Sequence, residues 1–464
     1  MPSRQDQLHS YQFMVQRVVG ALVMRETDPA QSPFRRAAGA TMASVLIAVI
    51  ALGGAAVYGV FVGGGGTKWR DPKVVIVEKE SGARYVYLDE KLHLVVNYAS
   101  ALLIVGASQP KTVLVSRKSM EGVPRGMPLG IADAPDSLPA ANRLSTGAWT
   151  ICSSPRAEGT PQVPRSALLI GAEAPGGTAL GDDAVLARHP DGNLHLIWHN
   201  RRYLLRDRDT VITALTWSSE RPVPVAPALL NALPAGADLA EISIADEGKP
   251  SSAVDGARIG EVFVVEREGG GRQYAVAKRD GLANITELQA NLLLTDLGQD
   301  DPTQLSQARY ADIKKLPNLL PDDEAAPPAT TPNLVAANGG VVCGRVPDDG
   351  GVQEIRTGAT VPDLTDVAST TAQSAEGVAL ADQVVVEPGR GTVVEAAAAP
   401  GATGGAISVI TDLGRRHAVT AADVLETLGY GAVKPVRMPA SLVSLVPVGR
   451  ALDPEAARAP AVRE

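Results

Sequence analysis

The chain has 464 residues, with 43 Lys and Arg against 51 Asp and Glu and a formal charge of −8. This acidic balance argues against nucleic acid as a partner, because phosphate binding requires clustered Lys and Arg. Two cysteines are too few for a cysteine-rich zinc module or a disulfide-dense miniprotein. With 4 Phe, 4 Trp and 9 Tyr, the cores must be built from aliphatic side chains. The length predicts roughly two to four structural units.

An amphipathic helix is predicted near the N-terminus. Its apolar positions recur at spacings of three and four: Leu8, Tyr11, Val15, Val18 and Leu22. Asp28 and Pro29 are expected to end this helix. Residues 1–36, with Arg17 counted among the contact residues, are interpreted as a docking segment for a cytoplasmic or membrane partner. The alternative is a helix that lies on the inner face of the membrane.

An uncharged stretch of 26 residues, 37–62, follows directly. As an α-helix it would be about 39 Å long, enough to cross a hydrocarbon core of about 30 Å. Arg35 and Arg36 precede it, which favours a cytoplasmic N-terminus. The alternative is a cleaved signal peptide, whose apolar region is normally shorter, at about 7–15 residues, and nearer the start. The prediction is a single-pass membrane protein whose C-terminal bulk lies outside the cytoplasm.

Two pairs of repeated segments follow the span. VVIVEKESGAR (74–84) matches VFVVEREGGGR (262–272) without gaps, and six of the eleven positions are identical. PVPVAPALLNALPAGADL (222–239) matches PVRMPASLVSLVPVGRAL (435–452). These matches predict duplicated α+β units.

A separate β-structure and a disulfide are predicted between the repeats. Short Val-rich runs in 340–412, spaced by turns, suggest a small barrel or sandwich formed with strands near 145–185. Cys152 and Cys343 both fall outside the cytoplasm under the predicted topology. In an oxidising compartment two lone thiols are expected to pair, and a reactive thiol is the alternative.

Patterns that often carry catalysis are incomplete. A P-loop needs GxxxxGK[ST] so that backbone amides surround the phosphates. Residues 248–250 read GKP and lack both the leading Gly and the Ser or Thr. The nucleophile elbow GxSxG is absent from the sequence. No catalytic or cofactor-binding residue is therefore predicted, and a membrane-anchored ATPase with another kind of nucleotide site is the alternative.

No metal ligand is predicted either. His195 and His199 in HLIWH lack the Glu of a zinc-binding HExxH helix, and their alternation with Leu and Trp indicates a strand. Acidic clusters at 182–183, 322–324 and 348–349 lie beside Gly and Pro. They are interpreted as solvated loops, with weak cation binding as the alternative.

The whole pattern resembles a known family. QDQLHSYQFMVQRVVGALVM followed at once by one span resembles the N-terminus of EccB, a core component of the type VII (ESX) secretion system of actinobacteria. RYVYLDEKLHLVVNYASALLIVG resembles the first extracytoplasmic repeat of that family, and VITDLGRRHAVTAADVLETLGYG a later one. The lone cysteines, in WTICSS and VVCGRV, stand where the family has its disulfide pair. Leu94 and Val95 depart from a more usual Pro-Val.

This resemblance implies an α+β fold with one N-terminal transmembrane helix and an elongated periplasmic region of four α/β repeats around a central β-domain. It also implies a periplasmic dimer in an inner-membrane complex with EccC, EccD and EccE type subunits, near a mycosin protease. The chain divides accordingly into a cytoplasmic segment (1–36), the transmembrane helix (37–62), the first repeat (63–117), part of the central β-domain (118–188), the second repeat (189–240), the third repeat (241–316), a linker with the rest of the central β-domain (317–406), the fourth repeat (407–453) and a loose tail (454–464).

Overall fold

Helix α1 (Arg4–Met24) opens the described part of the chain. The computed structural model describes residues 3–25, 33–62, 67–108, 110–155, 163–364, 367–375 and 377–461. The Ser3 hydroxyl accepts a hydrogen bond from the Asp6 amide, and the Asp6 carboxylate accepts one from the Ser3 amide. This reciprocal pair satisfies two amides that the first helical turn leaves without partners. The predicted helix end at Asp28 and Pro29 lies outside the described residues.

Helix α2 (Pro33–Val62) carries the apolar stretch Ala37–Ala56, which is long and apolar enough to cross a membrane. The hydroxyl of Thr41 donates to the carbonyl of Ala37, one turn earlier, at 3.0 Å. The hydroxyl of Ser44 donates in the same way to the preceding turn. These two hydroxyl groups therefore find partners inside the helix, as an apolar environment demands.

The first unit contains four strands and two helices: β1 (Val74–Glu78), β2 (Arg84–Leu88), β3 (Lys91–Val95), α3 (Tyr98–Val105), β4 (Lys111–Val115) and α4 (Arg117–Met120). β1, β2 and β3 pair in antiparallel succession, and the chain then crosses through α3 and returns as β4, parallel to β1. Asp89 and Glu90 adopt positive φ angles in the β2–β3 turn. Such angles at both central residues are those of a type I′ hairpin turn.

Three further strands precede the second unit: β5 (Trp149–Pro155), β6 (Pro164–Leu169) and β7 (Gly176–Ala179). The second unit consists of β8 (Val185–Arg188), β9 (Leu194–Trp198), β10 (Arg201–Leu205), α5 (Arg208–Ala214), β11 (Val223–Pro224) and α6 (Pro227–Ala232). The third unit consists of β12 (Val262–Glu266), β13 (Arg272–Ala277), β14 (Leu282–Ile285), α7 (Glu287–Leu297), β15 (Thr303–Gln304), α8 (Gln307–Asp312) and β16 (Lys315–Leu316).

The remaining elements return to the centre and then form the fourth unit. The central strands are β17 (Val342–Val346), β18 (Glu354–Ala359) and β19 (Gln383–Val385). The fourth unit consists of β20 (Gly391–Ala397), β21 (Ala406–Thr411), β22 (Arg416–Ala418), α9 (Ala422–Thr427), β23 (Val436–Pro439), α10 (Ala440–Val443) and α11 (Pro454–Arg458).

The sheets of the four units share one arrangement. Their orders are β3-β2-β1-β4, β10-β9-β8-β11, β16-β14-β13-β12-β15 and β22-β21-β20-β23. In each, an antiparallel meander of three strands is followed by a helical crossover, and a returning strand pairs in parallel with the first strand. The separate central sheet has the order β19-β6-β5-β17-β18-β7. The chain is thus an α+β protein with one apolar N-terminal helix, as predicted.

Three large cores join these parts. The first core buries α3 of the first unit against Val424 and Leu425 on α9 of the fourth. The second joins α5 and α7, so that the second and third units share one interior. The third lies beneath the central sheet and receives α6 and α10, which contact each other there. Aliphatic side chains dominate all three, consistent with the low aromatic content.

Three boundaries differ from the predicted segmentation. β8 falls in 118–188, assigned to the central domain, but it pairs with β9 of the second unit. β20 falls in 317–406 but pairs with β21 of the fourth unit. A short apolar strand has the same composition in either sheet, so only the pairing decides its place. The segment 454–464 is not simply a loose tail, because α11 packs on α3 and buries Ala457.

A repeated contact between a ring and a glycine holds three of the units. In the second unit, the chain that follows β11 and α6 runs beside β10, the third strand of the meander. Tyr203 on β10 therefore lies opposite Gly236. A Cβ atom built on Gly236 would lie 2.1 Å from the Tyr203 ring. The same contact joins His93 with Gly126 and His417 with Gly449. In the third unit Ala283 lies opposite Leu316 instead, so a small residue replaces the ring and a large one replaces glycine.

Candidate functional site

The predicted docking residues lie on α1, and that helix is almost wholly exposed. Leu8, Tyr11, Val15, Val18 and Leu22 are all exposed, and so is Arg17. Within α1, which is described in full, only Gly20 is buried. The apolar surface is broader than the predicted stripe, because Phe13, Met14, Val23 and Met24 are exposed as well. An exposed apolar helix of this kind has the character of an interaction surface.

The two cysteines meet in the centre of the central sheet. Cys152 on β5 lies directly opposite Cys343 on β17, with Cα atoms 4.0 Å apart, and the two form a disulfide. Both are buried, beneath Leu169, Ala174 and Ala359. The segment between them, 191 residues in sequence separation, contains the whole second and third units. The bond therefore closes the loop of chain that contains these two units.

A charged cavity of about 270 Å³ lies beside this disulfide. Arg345 Nε donates to Glu173 Oε1 at 2.5 Å, and Arg356 Nη2 donates to Glu354 Oε1 at 3.0 Å. Each cation is thus balanced by a neighbouring carboxylate. The cavity offers no unbalanced charge that would select a charged ligand.

The two histidines of HLIWH lie in different local environments. His195 lies on strand β9, as the alternation predicted, and burial lowers its pKa to about 4. Among the described residues, its Nδ1 atom has no hydrogen-bond partner. His199 lies in the following turn, where its ring stacks on Trp198 and its Nε2 atom lies 2.9 Å from Asp182 Oδ1. The described residues contain no group of three or more His, Cys, Asp or Glu that would hold a metal ion.

The acidic clusters make local structural contacts. Asp183 accepts from the Asn333 side chain, and Asp323 accepts from the Ala325 amide. Asp349 accepts from the Gly401 amide and pairs with Arg437 at 2.9 Å. These carboxylates connect loops, and the contacts do not bring them together in one cleft.

An ion pair that the sequence did not single out closes the edge of the first unit. Arg117 Nε donates to Glu78 Oε1 at 2.6 Å, and Ser81 also donates to this carboxylate. These hydrogen bonds, the one from Arg117 foremost, lower the pKa of Glu78. The partners are separated by 39 residues, so no local spacing pointed to them.

Comparison with known proteins shows which family shares these features. The family described as "Type VII secretion system ESX-1, transport TM domain B" matches residues 1–461. The ESX-3 secretion system ATPase EccB3 of Mycolicibacterium smegmatis is 28% identical over 469 residues, which cover 96% of this chain and 88% of that protein. The ESX-2 secretion system ATPase EccB2 of Mycobacterium tuberculosis is 32% identical over 225 residues. That second match spans about half of each protein, 47% of this chain and 45% of the relative.

Solved structures agree in fold over most of the chain. A chain of the intact ESX-5 inner membrane complex is similar with a TM-score of 0.68 at 25% identity, covering 100% of this chain and 96% of that one. The EccB3 dimer from the ESX-3 core complex is similar with a TM-score of 0.64 at 26% identity, covering 83% of this chain and all of that one. The apolar N-terminal helix, the order of the sheets and the match of 1–461 lead to one conclusion: the chain belongs to the EccB family of transmembrane components of type VII (ESX) secretion systems.

Proposed function

We propose that this protein is a structural membrane subunit that anchors cytoplasmic subunits and assembles the ESX secretion complex through its periplasmic region. The observation that carries the proposal is one apolar helix, Ala37–Ala56, which joins a short exposed helix to a large folded region. Such a chain connects two compartments physically. We assign it to the inner membrane, with the N-terminus in the cytoplasm and residues 67–461 in the periplasm.

The docking role falls on α1. Its exposed apolar side chains fit a protein partner of the EccC, EccD or EccE type. Val18→Glu introduces a charge at the centre of the predicted contact, and we expect at least a tenfold loss of co-purified partner from mild-detergent membranes. Gln16→Glu adds the same charge to another side of the same helix and should leave the complex intact. Equal recovery for both variants would contradict docking through this face.

The alternative for α1 is a lipid surface. In that case Val18→Glu would reduce binding of α1 to vesicles, yet the complex would still co-purify. Native gel size together with mass spectrometry of the co-eluting chains separates the two outcomes. A megadalton-scale band with EccC, EccD and EccE type subunits supports the scaffold, whereas a chain that elutes alone contradicts it.

The periplasmic units provide the surface for self-association and for a mycosin-type protease. Support comes from the EccB3 dimer of the ESX-3 core complex, to which residues of this region are similar. We expect the full chain in detergent to have the mass of a dimer by light scattering. A monomer at all concentrations, together with normal assembly of the complex, would exclude a role for dimerisation.

We propose further that the protein acts without catalysis of its own, although its relatives are named ATPases. The proposal is supported by the incomplete GKP segment, in which Gly248 has a positive φ angle within a turn and no phosphate-binding loop precedes a helix. Purified full chain should show no ATP turnover above that of a mock preparation. Turnover that a point substitution abolishes, while the fold is retained, would establish the membrane-anchored ATPase instead.

A further inference from the structure

One face of the first unit combines aromatic, basic and exposed apolar side chains. We call it the collar face and define it by the outer side of the β1–β4 sheet and the loop beside β3: Arg70, Tyr85, Tyr87, Leu94, Arg125 and Met127. We propose that the collar face rests on the anionic phospholipid headgroups of the membrane that α2 crosses.

The chain keeps this face close to the membrane. Only residues 63–68 separate the end of α2 at Val62 from Trp69. A fully extended chain gains at most about 3.6 Å per residue, so seven links span about 25 Å. The first unit is therefore held within a short distance of the point where α2 leaves the bilayer. The other units follow it at much greater separation along the chain.

The side chains of the collar face have the chemistry of a membrane interface. Arg125 lies over the half-buried Tyr85 ring at 4.7 Å, and Arg70 lies over the ring of Trp69, which is buried beneath the face, at 5.3 Å. Tyr and Trp are enriched where one end of a side chain is apolar and the other is hydrated, and Arg extends along apolar surface toward phosphate. Met127 is 63% exposed beside them. This arrangement offers apolar contact together with cations for phosphate.

Charge distinguishes the first unit from the rest of the protein. Residues 67–125 contain ten Lys or Arg and six Asp or Glu, whereas the whole chain is acidic. Asp89 and Glu90 lie at one edge of the collar face, beside Arg70 and Lys91. The excess of cations nevertheless favours an anionic surface, and each cation near such a surface adds to its binding.

The same face is covered in the other three units. In the second and fourth units it carries Ile197 and Ile410, which are buried in the core beneath the central sheet. In the third unit the equivalent of Leu92 is Leu282, and Val254 and Ala257 pack over it. The first unit covers its own Ile76 and Leu92 with Trp69 and Met120, and it leaves Leu94 and Met127 exposed at the rim of this small core. We assign that exposed rim, with Arg125 beside it, to contact with lipid headgroups.

The test uses the full chain in nanodiscs, where both membrane surfaces are accessible. Both native cysteines are in the buried disulfide, so Met127→Cys provides a single thiol for a fluorophore. Lipids with a nitroxide on the headgroup quench a label that touches the surface. We expect quenching in discs that contain phosphatidylglycerol, and little in discs of phosphatidylcholine alone. A label at Glu268→Cys, on an exposed turn of the third unit, should remain unquenched in both.

Charge reversal provides the second arm. Arg125→Glu should reduce the ratio of quenched to unquenched label by about fivefold or more, from the usual contribution of one cation at an anionic surface. Arg309→Glu makes the same charge change on the exposed side of α8 and should have no effect. Raising the salt concentration should act like Arg125→Glu, because ions screen exposed charges.

Three results would overturn the proposal. Equal quenching in neutral and anionic discs would show that proximity alone places the label there. Quenching that Arg125→Glu leaves unchanged would remove the assigned role of the cations. A label at position 127 that is unquenched in anionic discs but cross-links between two copies would make the collar face a protein contact. The scaffold proposed above would survive each of these results, since its test measures co-purified subunits.

Discussion

The contact between Tyr203 and Gly236 gives a sharp test of how the units hold together. Gly236 has a φ angle that other residues adopt, so space alone forbids a side chain there. A Cβ at this position would lie 2.1 and 2.4 Å from two ring carbons of Tyr203. Ordinary carbon contacts lie near 3.5–4.0 Å, so the ring would have to move by more than 1 Å, roughly. Tyr203 is 1% exposed, so a movement of its ring would displace the core side chains packed around it.

The third unit has the large and the small residue of this contact in exchanged positions. There Ala283 faces Leu316, which is the reverse distribution of volume. Gly236→Leu alone should cost at least about 3 kcal/mol, the upper end for overpacking. Tyr203→Ala alone should cost about 3–5 kcal/mol by leaving a cavity. The double variant reproduces the third unit, and we expect a favourable coupling of about 2 kcal/mol between the two changes.

Hydrogen exchange of the β10 amides in the full chain measures this local stability, which a global unfolding curve of a multi-unit protein would obscure. Ala235→Leu places the same side chain at the exposed neighbouring position and serves as the control. The reasoning is refuted if Gly236→Leu destabilises β10 equally in the Tyr203→Ala background. It is also refuted if Ala235→Leu is as harmful as Gly236→Leu.

Three further predictions concern the centre and the end of the chain. Replacing both Cys152 and Cys343 by Ala should lower the local stability of β5 and β17 by about 2–5 kcal/mol, measured by hydrogen exchange of their amides, and no loss would contradict a structural role. The pKa of His195 is about 4 in the folded protein and 6.5 in the unfolded chain. The stability of the fold is therefore unaffected by this residue above pH 6.5, and it decreases as the pH falls toward 4, because the unfolded chain then binds the proton more tightly. The loss at pH 5 is about 2 kcal/mol, and His195→Leu should flatten the stability profile between pH 6.5 and 5; an unchanged slope would contradict the assignment. Deleting residues 453–464 should speed hydrogen exchange in α3, because Ala457 is buried there and Arg458 donates to the Ile104 carbonyl at 3.2 Å; unchanged exchange would show that α11 adds no stability.

The sequence was most informative where a local pattern has one physical solution. An uncharged run of 26 residues predicts a helix that can cross a membrane, and α2 is that helix. The match of 74–84 with 262–272 predicts a strand, a turn and a second strand in each segment, and β1–β2 and β12–β13 form these hairpins with registers that differ by one residue. For the cysteines, composition and compartment predicted that Cys152 and Cys343 pair, with a reactive thiol as the alternative. The structure places Cys152 opposite Cys343 in adjacent strands.

Other features depended on partners distant in sequence. The placement of β8 and β20 follows from pairing with β9 and β21, and a short apolar strand does not carry that choice in its own residues. The ion pair of Glu78 and Arg117 crosses 39 residues, and nothing in either local segment indicates the other. The burial of His195 likewise comes from the elements that pack around β9.

The sequence by itself determined that this protein has one membrane-spanning candidate, duplicated α+β units and two cysteines available to pair, because charge, periodicity and repetition are local properties of a chain. Only the tertiary structure decided which faces of those units are covered. Ile197 and Ile410 enter the central core, whereas Leu94 on the first unit is 38% exposed. Apolar strands look alike in sequence, and their surroundings are fixed only when distant segments pack against them.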